Sequence, residues 1–137
     1  MKRGFASTFG PNNVFKAAVV LSGNGVYDGS EVTETAALMI ALSKHKANIQ
    51  CFAPNRDQHH VINHLTGEEM DEKRNILVES ARIARGKIQP IEELHAKDFD
   101  MLFLPGGFGA AKNFSNFAFE GKNMSVEKDI EYVLKDF

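Results

Sequence analysis

The most constraining feature of this chain is a run of five residues, Ala17-Ala18-Val19-Val20-Leu21, that is apolar at every position and stops at Ser22-Gly23-Asn24-Gly25. A strand with one wet face alternates apolar and polar residues, so an uninterrupted run that ends in turn residues belongs in the middle of a sheet covered on both sides. Thr35, Leu38, Met39 and Leu42 then recur at helical spacing. Ser30 is placed to cap that helix, Glu31 and Glu34 share a face in its first turns, and it should end near His45. Ile49, Cys51, Phe52 and Ala53 make a second short strand, closed by Pro54, which has no amide proton for a ladder. Strand, helix, strand is a βαβ unit, and such units predict a parallel sheet with helices on both faces.

Residues 56–67 are polar and include His59, His60, Asn63 and His64, which reads as a long excursion rather than a regular element. Asp71 is placed to cap a second helix whose apolar stripe is Ile76, Leu77, Ser80, Ala81, Ile83 and Ala84, with Gly86 as its C-cap. Residues 87–90 suit a short extended piece and residues 91–97 a short helix. Residues 100–104 give the third main strand, which runs into Pro105-Gly106-Gly107-Phe108-Gly109. A short helix is expected over residues 110–114, and Val126, Ile130, Val133 and Leu134 mark a last amphipathic helix still running at Phe137. A terminal helix in this architecture normally delivers the chain into another parallel strand, so the expectation is a shortened chain, either a fragment or a cleaved product.

At 137 residues, 43% hydrophobic and 25% charged, the chain suits one globular domain. No apolar run approaches the roughly 20 residues of a membrane span. A net charge of −2 argues against a nucleic-acid binder, which usually carries a clustered basic surplus. The one cysteine, Cys51, excludes an intrachain disulfide and a cysteine-based zinc site, and points to a reducing, intracellular compartment. Residues 1–15 form a separate tail with Lys2 and Arg3, hydroxyl side chains and no acid. Two readings of it stay open: the end of an organelle transit peptide, placing the protein in the mitochondrion, or an unstructured N-terminus on a cytoplasmic protein. The domain proper is residues 16–137.

Two glycine-rich loops leave buried strands at their carboxyl ends, where open α/β sheets place their ligands. The first, residues 23–29, has the context of a dinucleotide-binding turn, but the anionic Asp28 would repel phosphate and no ribose-binding acid follows the second strand. A tight turn bordering some other pocket is the better reading. The second, residues 105–109, has consecutive glycines that can aim amide protons at an anion, as an oxyanion hole requires. A carboxyl group at position 31 or 34, just past the first loop, could serve as a general acid or base; taken alone, favourable charge at a helix N-terminus explains it as well. His60 and His64 lack the acidic partner of a zinc motif and read as satisfied loop histidines, so no metal is expected. Cys51 reads as a small core residue.

Five motifs in order carry a resemblance: residues 22–31 (Ser-Gly-Asn-Gly-Val-Tyr-Asp-Gly-Ser-Glu), 52–54 (Phe-Ala-Pro), 61–68 (Val-Ile-Asn-His-Leu-Thr-Gly-Glu), 74–86 around Glu79-Ser80-Ala81-Arg82, and 105–113 (Pro-Gly-Gly-Phe-Gly-Ala-Ala-Lys-Asn). Together they resemble the ElbB and mitochondrial ES-one family, within the PfpI-like, class I glutamine-amidotransferase-like superfamily, over residues 16–137. The resemblance implies a flavodoxin-like, doubly wound parallel α/β sandwich, usually dimeric, with a cysteine nucleophile on a strand-to-helix elbow. It implies a glutathione-independent, cofactor-free glyoxalase, a lyase that converts small 2-oxoaldehydes such as glyoxal and methylglyoxal to hydroxy acids, in a family also associated with isoprenoid biosynthesis. The superfamily's catalytic glutamate falls on Glu34 or Glu31, with helix register favouring Glu34, and Gly107 falls on the oxyanion-hole position. Gly23, Asn24, Gly25, Gly106, Phe108 and Asn113 are the expected pocket residues.

Two departures qualify the expectation. Asn24 stands where relatives commonly have cysteine, and the elbow cysteine belongs to a strand that would follow residue 137. The chain alone is therefore expected to be nearly inactive, the nucleophile coming from a longer parent or a C-terminal companion chain. The competing expectation is a noncatalytic, dimerising assembly protein of the same fold.

Overall fold

The computed structural model describes residues 14–137; nearly all of the basic tail lies outside the described residues. Four strands, β1 (Lys16–Val20), β2 (Asn48–Ala53), β3 (Ile88–Pro90) and β4 (Met101–Phe103), form one sheet in the order β3-β2-β1-β4, every pair parallel. The fold is the expected parallel α/β sheet with helices on both faces. Helices α1 (Val32–Lys44) and α2 (Ile76–Ala84) precede β2 and β3, α3 (Phe108–Lys112) and α4 (Phe117–Glu120) are short, and α5 (Lys128–Asp136) closes the chain.

The apolar run takes the central position. Residues 17–21 are all between 0 and 1% exposed, which only a strand flanked by two others and covered on both faces achieves. Alternation then divides it between two cores. Ala17, Val19 and Leu21 pack with Leu42, Cys51 and Ala84, while Ala18 and Val20 pack with Phe52, Ile91, Phe114, Ile130 and Val133. The first core lies under α1 and α2, the second under α5.

Several local expectations need correction. α1 is capped by Glu31, whose carboxylate accepts the Glu34 N–H, and not by Ser30, whose hydroxyl instead accepts the Ser22 N–H at 2.9 Å. Glu31 and Glu34 consequently do not share a helix face, because Glu31 precedes the helix. α2 is capped by Asn75 rather than Asp71. Its left-handed ending uses Arg85 (φ 55°) as well as Gly86 (φ 78°). Residues 91–97 hold two 3-10 turns, Ile91–Glu93 and Ala96–Asp98, in place of one helix, and the helix after the second glycine loop starts two residues earlier than expected.

The polar excursion between β2 and α2 is long and largely irregular, as expected, yet it is firmly tied. Its two arms run antiparallel, joined by Gln58 N–H to Arg74 O (2.9 Å), Met70 N–H to Val61 O (2.8 Å) and Ile76 N–H to Arg56 O (2.8 Å). Arg56 also donates to Asp129 of α5 and, at 2.9 Å, to the carbonyl of Asn113, fixing the excursion to the far side of the sheet.

The sheet reverses direction at β1: successive strands step outward through β2 and β3, and the chain then crosses back to lay β4 on the other side of β1. The crevice beyond the carboxyl ends of β1 and β4 is the point where such sheets bind ligands. The two glycine loops meet there without side chains between them, Gly109 N–H donating to Gly29 O at 2.9 Å and Glu31 N–H to Gly106 O at 2.7 Å. A Cβ on Gly29 would lie 2.4 Å from the Asn24 nitrogen and 2.6 Å from the Gly23 carbonyl carbon. Because both obstacles are backbone, Gly29→Ala is expected to cost about 3 kcal/mol of stability, read as a lowered urea midpoint with an unchanged slope.

Candidate functional site

The first loop is closed on itself. Gly25 N–H donates to Ser30 O (3.0 Å), Gly29 N–H donates back to Gly25 O (2.7 Å), and Gly23 N–H is taken by the buried Ser80 hydroxyl (3.0 Å). These amides are spent inside the protein, and the buried Asp28 carboxylate beneath them accepts the Ile62 N–H at 2.7 Å. Such a loop is not a phosphate cradle. Asn24 bridges to Ser30 at the rim of the crevice, half-buried.

His64 holds the outer half of that loop. Its Nε2 accepts the Tyr27 N–H at 3.2 Å, its Nδ1 lies 2.9 Å from Ile62 O, and its ring stacks on Tyr27 with centroids 4.8 Å apart. A nitrogen that accepts from an amide is unprotonated, so the proton sits on Nδ1 and donates to Ile62 O. His64 is thus a satisfied loop histidine, as its sequence context suggested. Among the described residues no cluster of three histidine, cysteine or acidic side chains suits a metal ion, and His60 and His64 do not converge on one.

The second loop supplies the other wall. Gly106 N–H donates to Glu34 Oε2 at 2.9 Å, so Glu34, and not Glu31, is the carboxylate that reaches across from α1 to this loop. Glu31 turns its side chain back onto its own helix. Gly107 follows with φ 109°, a conformation that L side chains rarely adopt, and a Cβ there would lie 2.3 Å from Gly29 O. Among the described residues its N–H has no protein acceptor. Phe108 N–H donates to Val26 O (2.8 Å), leaving the Phe108 ring half in solvent beside Tyr27.

Asn113 has a different part from the one a lining residue would play. Its buried amide donates to Ser22 O (2.8 Å) and Asp28 O (2.9 Å) and accepts His59 N–H (2.9 Å). One side chain thereby ties the end of β1, the first loop and the excursion together. Cys51 lies 3% exposed in the core under α1 and α2, on β2, and burial pushes its thiol pKa above the ordinary value. A thiol held protonated and enclosed is a poor nucleophile.

His60 sits against His59 and Phe119, with Glu69 Oε2 at 3.7 Å. Burial is the main cause lowering its pKa; Glu69 opposes it, while His59 and Lys112 lower it further.

No family model matches the chain. Its similarity to known proteins is nonetheless strong. It is 51% identical over 128 residues to the human "Glutamine amidotransferase-like class 1 domain-containing protein 3, mitochondrial", covering 93% of this chain and 48% of that protein. It is 52% identical over 123 residues to the rat (Rattus norvegicus) "ES1 protein homolog, mitochondrial", covering 89% of this chain and 46% of that protein. The crystal structure of an isoprenoid biosynthesis protein with an amidotransferase-like domain from Ehrlichia chaffeensis superposes with a TM-score of 0.86 at 46% identity, covering 90% of this chain and 58% of that one. The chain spans about half the length of the curated relatives it matches. The fold is thus of the amidotransferase-like, flavodoxin-like α/β class. Over the stretch it shares with them, the chain is a homologue of ES1-like and amidotransferase-like proteins, which supports the ElbB/ES1 family.

Three outcomes follow from this geometry. Asn113→Ala strands two buried carbonyls and an amide, and is expected to lower stability by about 3 kcal/mol in chemical unfolding. His60 should titrate below the ordinary histidine value by NMR. Its neutral form is favoured by folding, so its stabilising contribution is full above the unfolded histidine pKa of about 6.5 and is lost as pH falls through the lowered folded value. Glu69→Gln should depress that value further.

Proposed function

We propose that this chain provides the acid–base and oxyanion-binding part of a glyoxalase-like enzyme acting on small 2-oxoaldehydes such as glyoxal and methylglyoxal. The observation that carries the reading is the corner at the β1/β4 switch point: the Glu34 carboxylate hydrogen-bonded to Gly106 N–H, next to the acceptor-free Gly107 N–H. A carboxylate beside an available amide is what proton transfer at a carbonyl requires, because negative charge develops on oxygen while a proton moves at carbon. Nothing in this reading calls for a cofactor.

In this reaction a thiolate adds to the aldehyde carbon, forming a C–S bond and placing the carbonyl electron pair on oxygen, where Gly107 N–H stabilises it. Glu34 takes the proton from that carbon and returns it to the neighbouring carbonyl carbon, leaving a thioester of the hydroxy acid. Water then cleaves the C–S bond and regenerates the thiol, so the overall change is addition of one water. The thiolate is not Cys51, which is enclosed and held protonated. It comes from outside these 137 residues, in a longer parent or a companion chain, and the working unit is a homodimer. The relatives' names support a mitochondrial setting for this chain. Among the described residues no helix is long and apolar enough to cross a membrane.

A second reading is favoured by one observation, the enclosure of the only thiol: a noncatalytic, dimerising assembly protein that keeps the fold. Intact mass of the native material, followed by lactate formation from methylglyoxal, separates the two. The enzyme reading expects no turnover by the 15.2 kDa chain alone. It expects turnover by the longer or two-chain species, falling by a factor of about 10² to 10⁴ in Glu34→Gln. An unchanged rate in that variant, or no turnover by any native species, overturns it and leaves the assembly reading.

A further inference from the structure

Beside the Glu34 corner lies a separate hollow of about 320 Å³, lined by Tyr27, Ile62, Gly67, Phe108 and Lys112. Its walls come from three parts of the chain, each tied through a backbone N–H: Tyr27 N–H to the His64 ring, Ile62 N–H to the Asp28 carboxylate and Phe108 N–H to Val26 O. Two aromatic rings face it while remaining far from buried, Tyr27 at 42% exposure and Phe108 at 53%.

Lys112 gives the hollow its charge. Its ammonium donates to Tyr27 O at 2.9 Å and stands 5.5 Å from the Phe108 ring centroid. Among the described residues no carboxylate lies within ion-pairing distance of it. An ammonium has three donors, and one is used. A cation held in place by a carbonyl, flanked by aromatic surface and lacking a counter-charge, is complementary to an anion attached to an apolar group.

We propose that the Tyr27–Phe108–Lys112 hollow binds a small organic carboxylate with a compact apolar body, the carboxylate on Lys112 and the body between the two rings. This does not rest on the aldehyde chemistry of the neighbouring corner. A ligand seated here would lie next to the second glycine loop, because Phe108 directly follows Gly107.

The test uses the 137-residue chain and three probes in an amide-shift NMR titration: 3-phenylpropanoate, its neutral amide 3-phenylpropanamide, and inorganic phosphate. The expected result is saturable binding of the acid with shifts centred on Tyr27, Ile62, Gly67 and Phe108, at least about tenfold tighter than the amide. Lys112→Met should erase that preference and Lys112→Arg should restore it; the comparison of acid with amide on the unmutated chain stands even if a variant folds poorly. Equal binding of acid and amide, equal shifts with phosphate, shifts centred elsewhere, or no saturation would each overturn the proposal. Because none of these readings measures turnover, failure here is distinguishable from failure of the enzyme reading.

Discussion

The structure depends on two stretches of backbone being allowed to touch. At the carboxyl edge of the sheet, Gly29 meets Gly107 and Gly109 with no side chain between them, and amide-to-carbonyl bonds of 2.7 and 2.9 Å join the two loops directly. This contact seats the loop after β4 against the loop after β1, and so decides where the Glu34 carboxylate meets an amide. Larger residues at these positions would push the walls apart, and the hydrogen bond from Gly106 to Glu34 would go with them. The geometry of this corner is set by backbone approach before any reactive group is considered.

Around that contact the protein uses polar side chains as ties. Asn113, Asp28, Ser80 and His64 are each placed between a loop and something more rigid, and each hydrogen-bonds to main chain. An enclosed polar group that is fully partnered adds directionality that apolar packing lacks. The loops are accordingly irregular in conformation and still determined in position, the combination a binding site requires.

Much of this was legible in the sequence. The unbroken apolar run read as a strand covered on both faces and the glycine clusters after β1 and β4 as turns, so a parallel sheet and the two loops at its carboxyl edge were legible from pattern. The ties were harder to see. Asn113 acts on carbonyls 91 and 85 residues away in sequence, and a carbonyl leaves no signature in residue type. The helix starts were misplaced for a related reason: Ser30 and Asp71 are good caps by type, but Ser30 is turned inward to meet Ser22, and a capping bond depends on which way the side chain faces. β3, three residues long and paired only with β2, was legible as the short extended piece at residues 87–90 but not as a member of the sheet. Helix register in the sequence already leaned towards Glu34, and the structure separates the two, because one fewer residue of helix turns Glu31 into a cap.

The placement of β1 also sets an order of events. It is the first strand of the sheet, yet the partner on one of its sides is β4, which begins at Met101 after β2 and β3 have both been made. A chain emerging from its N-terminus therefore carries the most apolar of the described strands with one open edge until β4 has been made. Long-range parallel pairing is slow to form, and an open apolar edge is what other chains join. Among the described strands, the crossover that creates the crevice is the last pairing to form, so β1 is exposed to aggregation until the crevice exists.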